Sequence, residues 1–141
     1  MENRRYRVID HTADIGIAAY GKNLKELFRN AAFGMFDLMV ELKGVGVDKK
    51  VAIKLKAPNK EELLVSWLSE LLYCFAGPSK ILLKDFMIKK LEEKSIEAEV
   101  SGEQLDLSRH QIKMEIKGVT YHQLKIERHD SRWQCRVIFD V

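Results

Sequence analysis

Apolar residues recur along this chain with two periods, and the switches between them predict the order of elements. Tyr6–Asp10 (YRVID) and Ile15–Gly21 (IGIAAYG) read as short strands, the second with Ile15, Ile17 and Ala19 on one face. The period then lengthens. Leu24, Leu27, Phe28, Ala31, Ala32, Met35, Phe36 and Met39 recur at helical spacing, which predicts an amphipathic helix over roughly 24–42. Asn23 supplies its N-cap, and Glu26, three residues later, completes a capping box. After the break at GVGVD, Lys49–Ala57 alternates strictly, with Val51, Ile53, Leu55 and Ala57 inward and Ala52, Lys54 and Lys56 outward. A second helix repeats the start signal with Asn59 and Glu62. It buries Leu63, Leu64, Trp67, Leu68, Leu71, Leu72 and Phe75, and stops at Gly77 and Pro78.

The remainder reads as strand. Ile81–Leu91 pairs with Ser95–Gly102 across a charged turn, and the polar loop EQLDLSRH follows. Ile112–Arg128 and Trp133–Val141 then predict one long hairpin around HDS. No strand is followed by a Gly-rich phosphate loop. The pattern predicts a single α+β domain spanning 1–141, a two-layer sandwich of mostly antiparallel sheet with two helices on one face.

Composition narrows the function classes. A chain of 141 residues that is 46% hydrophobic with two prolines has enough apolar surface to bury a core. Charged residues are 32% of the chain and nearly balanced at +3, too small an excess to argue for nucleic-acid binding from total charge. Cys74 and Cys135 fit no metal-ligand spacing. Two buried thiols in a reducing compartment is their ordinary reading, with a disulfide left open. MENRRYRVID contains no signal-peptide core and no later run is long enough to span a membrane, so a cytoplasmic location is expected.

The chemistry concentrates at two places. DHTAD puts Asp10, His11, Thr12 and Asp14 at the entrance to an apolar strand. If Ile15 and Ile17 face inward, Asp14 turns to the opposite face. On the last strand Trp133, Cys135, Val137, Phe139 and Val141 share one face, leaving Asp140 on the other with Arg136 and Ile138. Asp140 also precedes Val141, the last residue given, which would add an α-carboxylate. Convergence of these groups would make an anionic, all-oxygen site suited to calcium or magnesium rather than zinc. Spacing does not establish convergence: Asp14 as an Asx-turn residue and Asp140 as a solvent-facing strand end fit equally. His122 in TYHQL reads as a packing residue of a strand, and His110 and His129 as surface loop residues. No nucleophile–base pair follows from spacing.

Four ordered blocks, DHTADIGIAAYG, LLVSWLSELLY, KGVTYHQLKIE and the terminal RVIFDV, together resemble the archease family over essentially the whole chain. Gly118 stands where that family commonly has alanine before VTYH. The resemblance implies a sandwich of duplicated strand–helix–strand–strand units, consistent with twin Asn-capped helices. It also implies a cytoplasmic protein factor, not an enzyme, that assists an RtcB-type RNA ligase in tRNA splicing or RNA repair. Such a factor promotes guanylylation of the ligase and sustains its multiple turnover, with indirect contact to tRNA or RNA allowed, direct contact left open and no membrane involved. The implied metal site falls on Asp14, Asp140 and Val141, with calcium as the ion and magnesium or manganese as substitutes, while His11 and Thr12 shape the loop. The competing reading is a metal-dependent phosphoester hydrolase using the same carboxylates with His122 as base. A chaperone or RNA-binding module is disfavoured by the near-neutral charge.

Overall fold

The computed structural model describes residues 4–10 and 14–141. Eight strands and two helices lie among them, in the order β1 (Tyr6–Asp10), β2 (Ile15–Gly21), α1 (Leu24–Met39), β3 (Lys49–Lys56), α2 (Lys60–Ala76), β4 (Ile81–Glu92), β5 (Ser95–Gln104), β6 (Gly118–Val119), β7 (Lys125–His129) and β8 (Arg132–Asp140). The α+β class holds, and every strand pairing is antiparallel. The strands are divided between a three-stranded sheet, β3-β5-β4, and a five-stranded sheet, β1-β2-β8-β6, in which β7 also pairs with β8. Each helix contacts strands of both sheets, so one core runs through all of them.

Both helices begin as their sequences dictate. Asn23 Oδ1 accepts from the Glu26 N–H at 2.9 Å, and Asn59 Oδ1 accepts from the Glu62 N–H at 2.9 Å. Each bond satisfies one of the donors that a helix start leaves unpaired. Helix α1 ends at Met39, three residues before the apolar period runs out, because Val40 is extended (φ −143°). The Met39 carbonyl left over there accepts from the Lys113 N–H at 2.7 Å, and the Glu41 N–H donates to Gln111 O at 3.0 Å.

That docking explains why the long hairpin predicted over 112–128 does not form. Residues 111–114 are occupied with the end of α1, and Ile112 bridges Val40. Only Gly118–Val119 and Lys125–His129 pair with β8. Between them Thr120 ends the ladder: its N–H and its hydroxyl both donate to Ile138 O (3.0 and 2.9 Å), and its Oγ1 accepts from the His122 N–H. Such local side-chain bonding competes with strand pairing. The chain turns at His122 and Gln123, the latter at φ 53°. An alanine at Gly118 would meet nothing within 4 Å, so this departure from the family pattern leaves the strand undisturbed.

Trp67 joins the helices. It is fully buried, and its Nε1–H donates to Phe28 O at 3.0 Å. Trp67→Ala removes a large buried ring and the bond it adds to a carbonyl already in the α1 ladder, so it should destabilise the protein by about 3–5 kcal/mol. A urea titration checks this, and a loss below about 1 kcal/mol would mean that the ring is not part of the cooperative core.

Candidate functional site

Strand β2 pairs with β8 from Gly21↔Trp133 to Ile15↔Phe139 without a shift. The pairing ends at Ile15↔Phe139, with Asp14 just before β2 and Asp140 the last residue of β8; continued by one step, the same register would set the two aspartates opposite each other and on the same face. Ile17, Ala19, Cys135, Val137 and Phe139 belong to the core cluster, so Asp14 and Asp140 lie on the outer face. The carbonyls of Ile138 and Asp140 are turned toward the β6 side, where they accept from the N–H groups of Thr120 (3.0 Å) and Lys117 (2.7 Å). The Asp140 backbone is therefore bonded on the β6 side and not toward β2, so an aspartate continuing β2 would meet it at a non-hydrogen-bonded position. Asp140 is exposed and Asp14 half-buried.

The neighbouring rung is dry. A Cβ on Gly16 would sit 2.6 Å from Ile138 Cδ1 and 2.6 Å from Val137 O, so Ile138 lies across the glycine and is itself fully buried. Two like charges brought opposite each other beside this apolar surface would destabilise the strand pair. Asp10 does not join them: it pairs with Ile15 and shares the face of Ile15 and Phe139. Val141 follows Asp140 and is 38% exposed. No group of three His, Cys, Asp or Glu side chains placed to hold a metal occurs among the described residues. His11 and Thr12 lie outside those residues. The donor set in view is oxygen only, which fits a hard divalent cation rather than zinc.

A model of the Archease protein family matches residues 6–141. The chain belongs to the archease family. Among curated relatives, Protein archease of Methanosarcina barkeri is 40% identical over 99% of this chain and 98% of its own length. Protein archease of Pyrococcus furiosus is 35% identical, with 98% and 99% covered. The solution structure of Methanobacterium thermoautotrophicum protein 1598 superposes with a TM-score of 0.82 at 31% identity, covering 97% of this chain and 99% of that one. A Thermotoga maritima archease, described as a possible chaperone, shares the fold at TM-score 0.67 and 20% identity, with 99% and 100% covered.

His122, His110 and Cys74 sit differently from expectation, while His129 on the surface and the free, buried Cys135 do not. His122 is an exposed turn residue rather than part of a strand. His129 is the exposed end of β7. His110 is not on the surface: its side chain is 4% exposed, with Nε2 2.7 Å from Glu103 Oε1. Its Nδ1 accepts from the Asp106 N–H at 2.9 Å, so the ring proton is on Nε2 and is donated to Glu103. The sequence did carry a hint, since Asp106 and Ser108 form an Asx turn that folds the loop back over the histidine. Cys74 and Cys135 are both free; Cys135 is buried, and burial pushes its thiol up to about 12, whereas Cys74 is half-buried. Neither is an activated nucleophile. No helix among the described residues is long and apolar enough to cross a membrane.

Two outcomes follow from these groups. Asp140→Asn should raise the melting temperature slightly in chelator at low salt, by relieving a repulsion of at most about 1 kcal/mol, and the gain should shrink at high salt. A lower melting temperature in chelator would make Asp140 a structural acceptor instead. The second concerns acid. The His110 hydrogen bond, assisted by Arg109 and the Gly46 N–H, holds Glu103 down from 4.5 to about 2. A carboxylate depressed on folding stabilises fully above its unfolded value and loses that contribution as pH falls through its folded one. Between pH 4.5 and about 2 the urea midpoint of the wild type should therefore fall more steeply than that of Glu103→Gln. Parallel curves would show that the pair does not couple to folding.

Proposed function

We propose that this protein is a non-catalytic factor that activates an RtcB-type RNA ligase in the cytoplasm, promoting guanylylation of the ligase and its multiple turnover. Family membership across residues 6–141 carries the reading. Curated relatives named Protein archease, matched over nearly their whole length, support it. We place a divalent cation, calcium before magnesium or manganese, on Asp14, Asp140 and the α-carboxylate of Val141. Bound there, the ion would neutralise the opposed carboxylates and offer its remaining positions to a partner's oxygens. In this reading the protein's own contribution is to present the two carboxylates at the adjoining ends of β2 and β8.

The assay combines this protein with its cognate ligase, GTP and a divalent ion, and follows ligase guanylylation and ligated RNA over many turnovers. Substoichiometric protein should raise turnover, and the protein alone should hydrolyse no phosphoester. Hydrolysis that disappears in His122→Ala would establish the competing hydrolase. Calcium should raise the melting temperature of the wild type through binding to the folded state alone, the gain in unfolding free energy being about 2.7 kcal/mol at a hundredfold excess over Kd. Asp14→Ala and Asp140→Ala should lose that increase and the activation while keeping the metal-free fold. Amidation or extension of Val141 should weaken both, and full activity after extension would remove Val141 from the ligand set.

A further inference from the structure

The outer face that carries Asp14 and Asp140 also carries a row of cations. Arg7 pairs with Ala18, Ala18 with Arg136, and Arg136 with Lys125, so the four residues form one rung across β1, β2, β8 and β7. Ala18 is fully buried although it is on the outer face. With a methyl group in the middle of the rung, the long side chains on either side cover it and hold their charges above it. The next rung is Tyr20, Gln134 and Glu127. Arg7 Nε donates to Tyr20 Oη at 2.9 Å, and the Arg132 guanidinium stands 4.2 Å from the Tyr20 ring centroid, so the tyrosine fixes two arginines. Glu127 is the acid among these rungs, 3.2 Å from Lys125 and 3.6 Å from His129. Arg7, Arg132 and Arg136 have no ion-pair partner among the described residues. Beside the row a groove of about 370 Å³ opens between Gln123, Lys125, Gln134 and Arg136, with Glu127, already paired to Lys125, also in its wall.

We propose that this face binds the phosphodiester backbone of single-stranded RNA. Guanidinium groups match phosphate oxygens bidentately, and Gln and Tyr side chains are ordinary phosphate and sugar partners. An interface with another protein would be centred on apolar or aromatic anchors. Here the centre is Ala18, in register between Arg7 and Arg136, and the Tyr20 ring is covered by Arg132. The covered ring also removes a stacking platform, so recognition is by backbone charge and tolerates sequence. That the strand is RNA rather than DNA rests on the ligase reading; the cation row does not.

The test contains no ligase, so its failure and that of the proposed activation are separable. A fluorescent single-stranded RNA of mixed sequence is titrated with the full chain in chelator at several salt concentrations, followed by anisotropy. Three to four phosphate contacts predict a slope of log K against log salt between about −2 and −3. Arg7→Gln/Arg136→Gln should weaken binding about tenfold or more and bring the slope up by about 1.4. Lys50→Gln/Lys54→Gln, which removes the same charge from β3, should leave both unchanged. Arg7→Lys/Arg136→Lys should keep the slope while losing affinity with the guanidinium fork. If the glutamine pair does not fold, Lys125→Gln, at an exposed position, should still raise the slope by about 0.7. Absence of binding at low salt, or equal weakening by the β3 pair, overturns the proposal. Tighter binding of polyglutamate would make the face a protein-docking surface, and tighter binding of DNA would remove the assignment to RNA.

Discussion

The pairing of β2 with β8 sets the geometry of everything functional in this chain. It brings a strand beginning at Ile15 against one ending at Asp140, seven rungs without a bulge, at the centre of the five-stranded sheet. Closing so long a loop costs entropy that only the completed core offsets, so this pairing belongs to the non-local, slow part of folding. Its register is fixed by burial. Ile17, Ala19, Cys135, Val137 and Phe139 enter the core on one face, and a slip of one residue would exchange that face for the one bearing Ala18, Arg136 and Asp140. Such a slip would place Arg136 among the side chains packed on α1. The same constraint therefore selects the native core and turns Asp140 outward at the end of β8, beside the start of β2 that Asp14 precedes.

A second constraint couples the two halves of the chain. Helix α1 ends early, and the Met39 carbonyl it exposes is satisfied by Lys113, from beyond β5. Trp67 reaches from α2 to Phe28 O of α1. Hydrogen bonds thus cross between units that a strand–helix repeat would keep apart, and helix ends become fastening points for later segments. His110 acts similarly in the loop after β5, where its two ring nitrogens bond Asp106 and Glu103 and hold the polar segment against the body of the protein.

How much of this could be read from the chain depends on whether the cause is local. Both Asn caps, both helices and the alternation of β2, β3 and β8 are local patterns, and they appear where the sequence places them. The outward direction of Asp140 followed from the same alternation. The break between Ile112 and Lys125 did not, because alternation records which residues can line a strand and not which partner is available. Met39 claims residues 111–114, and the Thr120 hydroxyl competes with the ladder. His110 failed for a related reason: a polar loop composition says nothing about which of its members turns inward. Facing Asp14 against Asp140 needed a register between strands more than a hundred residues apart, which a single sequence does not encode locally.

Total charge was the least informative quantity. A balance of +3 argues against a polyanion partner only if charges are evenly spread, and β8 shows that they are not. Its outer-face residues run Asp140, Ile138, Arg136, Gln134, so acid and base occupy one face four residues apart. At about 3.4 Å per residue that is about 14 Å. The screening length at physiological ionic strength is about 8 Å, so the carboxylate rung reduces the potential at the Arg7–Arg136 rung only weakly. Ile138, buried between the two rungs, keeps them apart and leaves no polar side chain to bridge them. One sheet face can thus present an oxygen-rich end to a hard cation and a guanidinium row to an anion at the same time, each field acting locally while the sum is close to neutral.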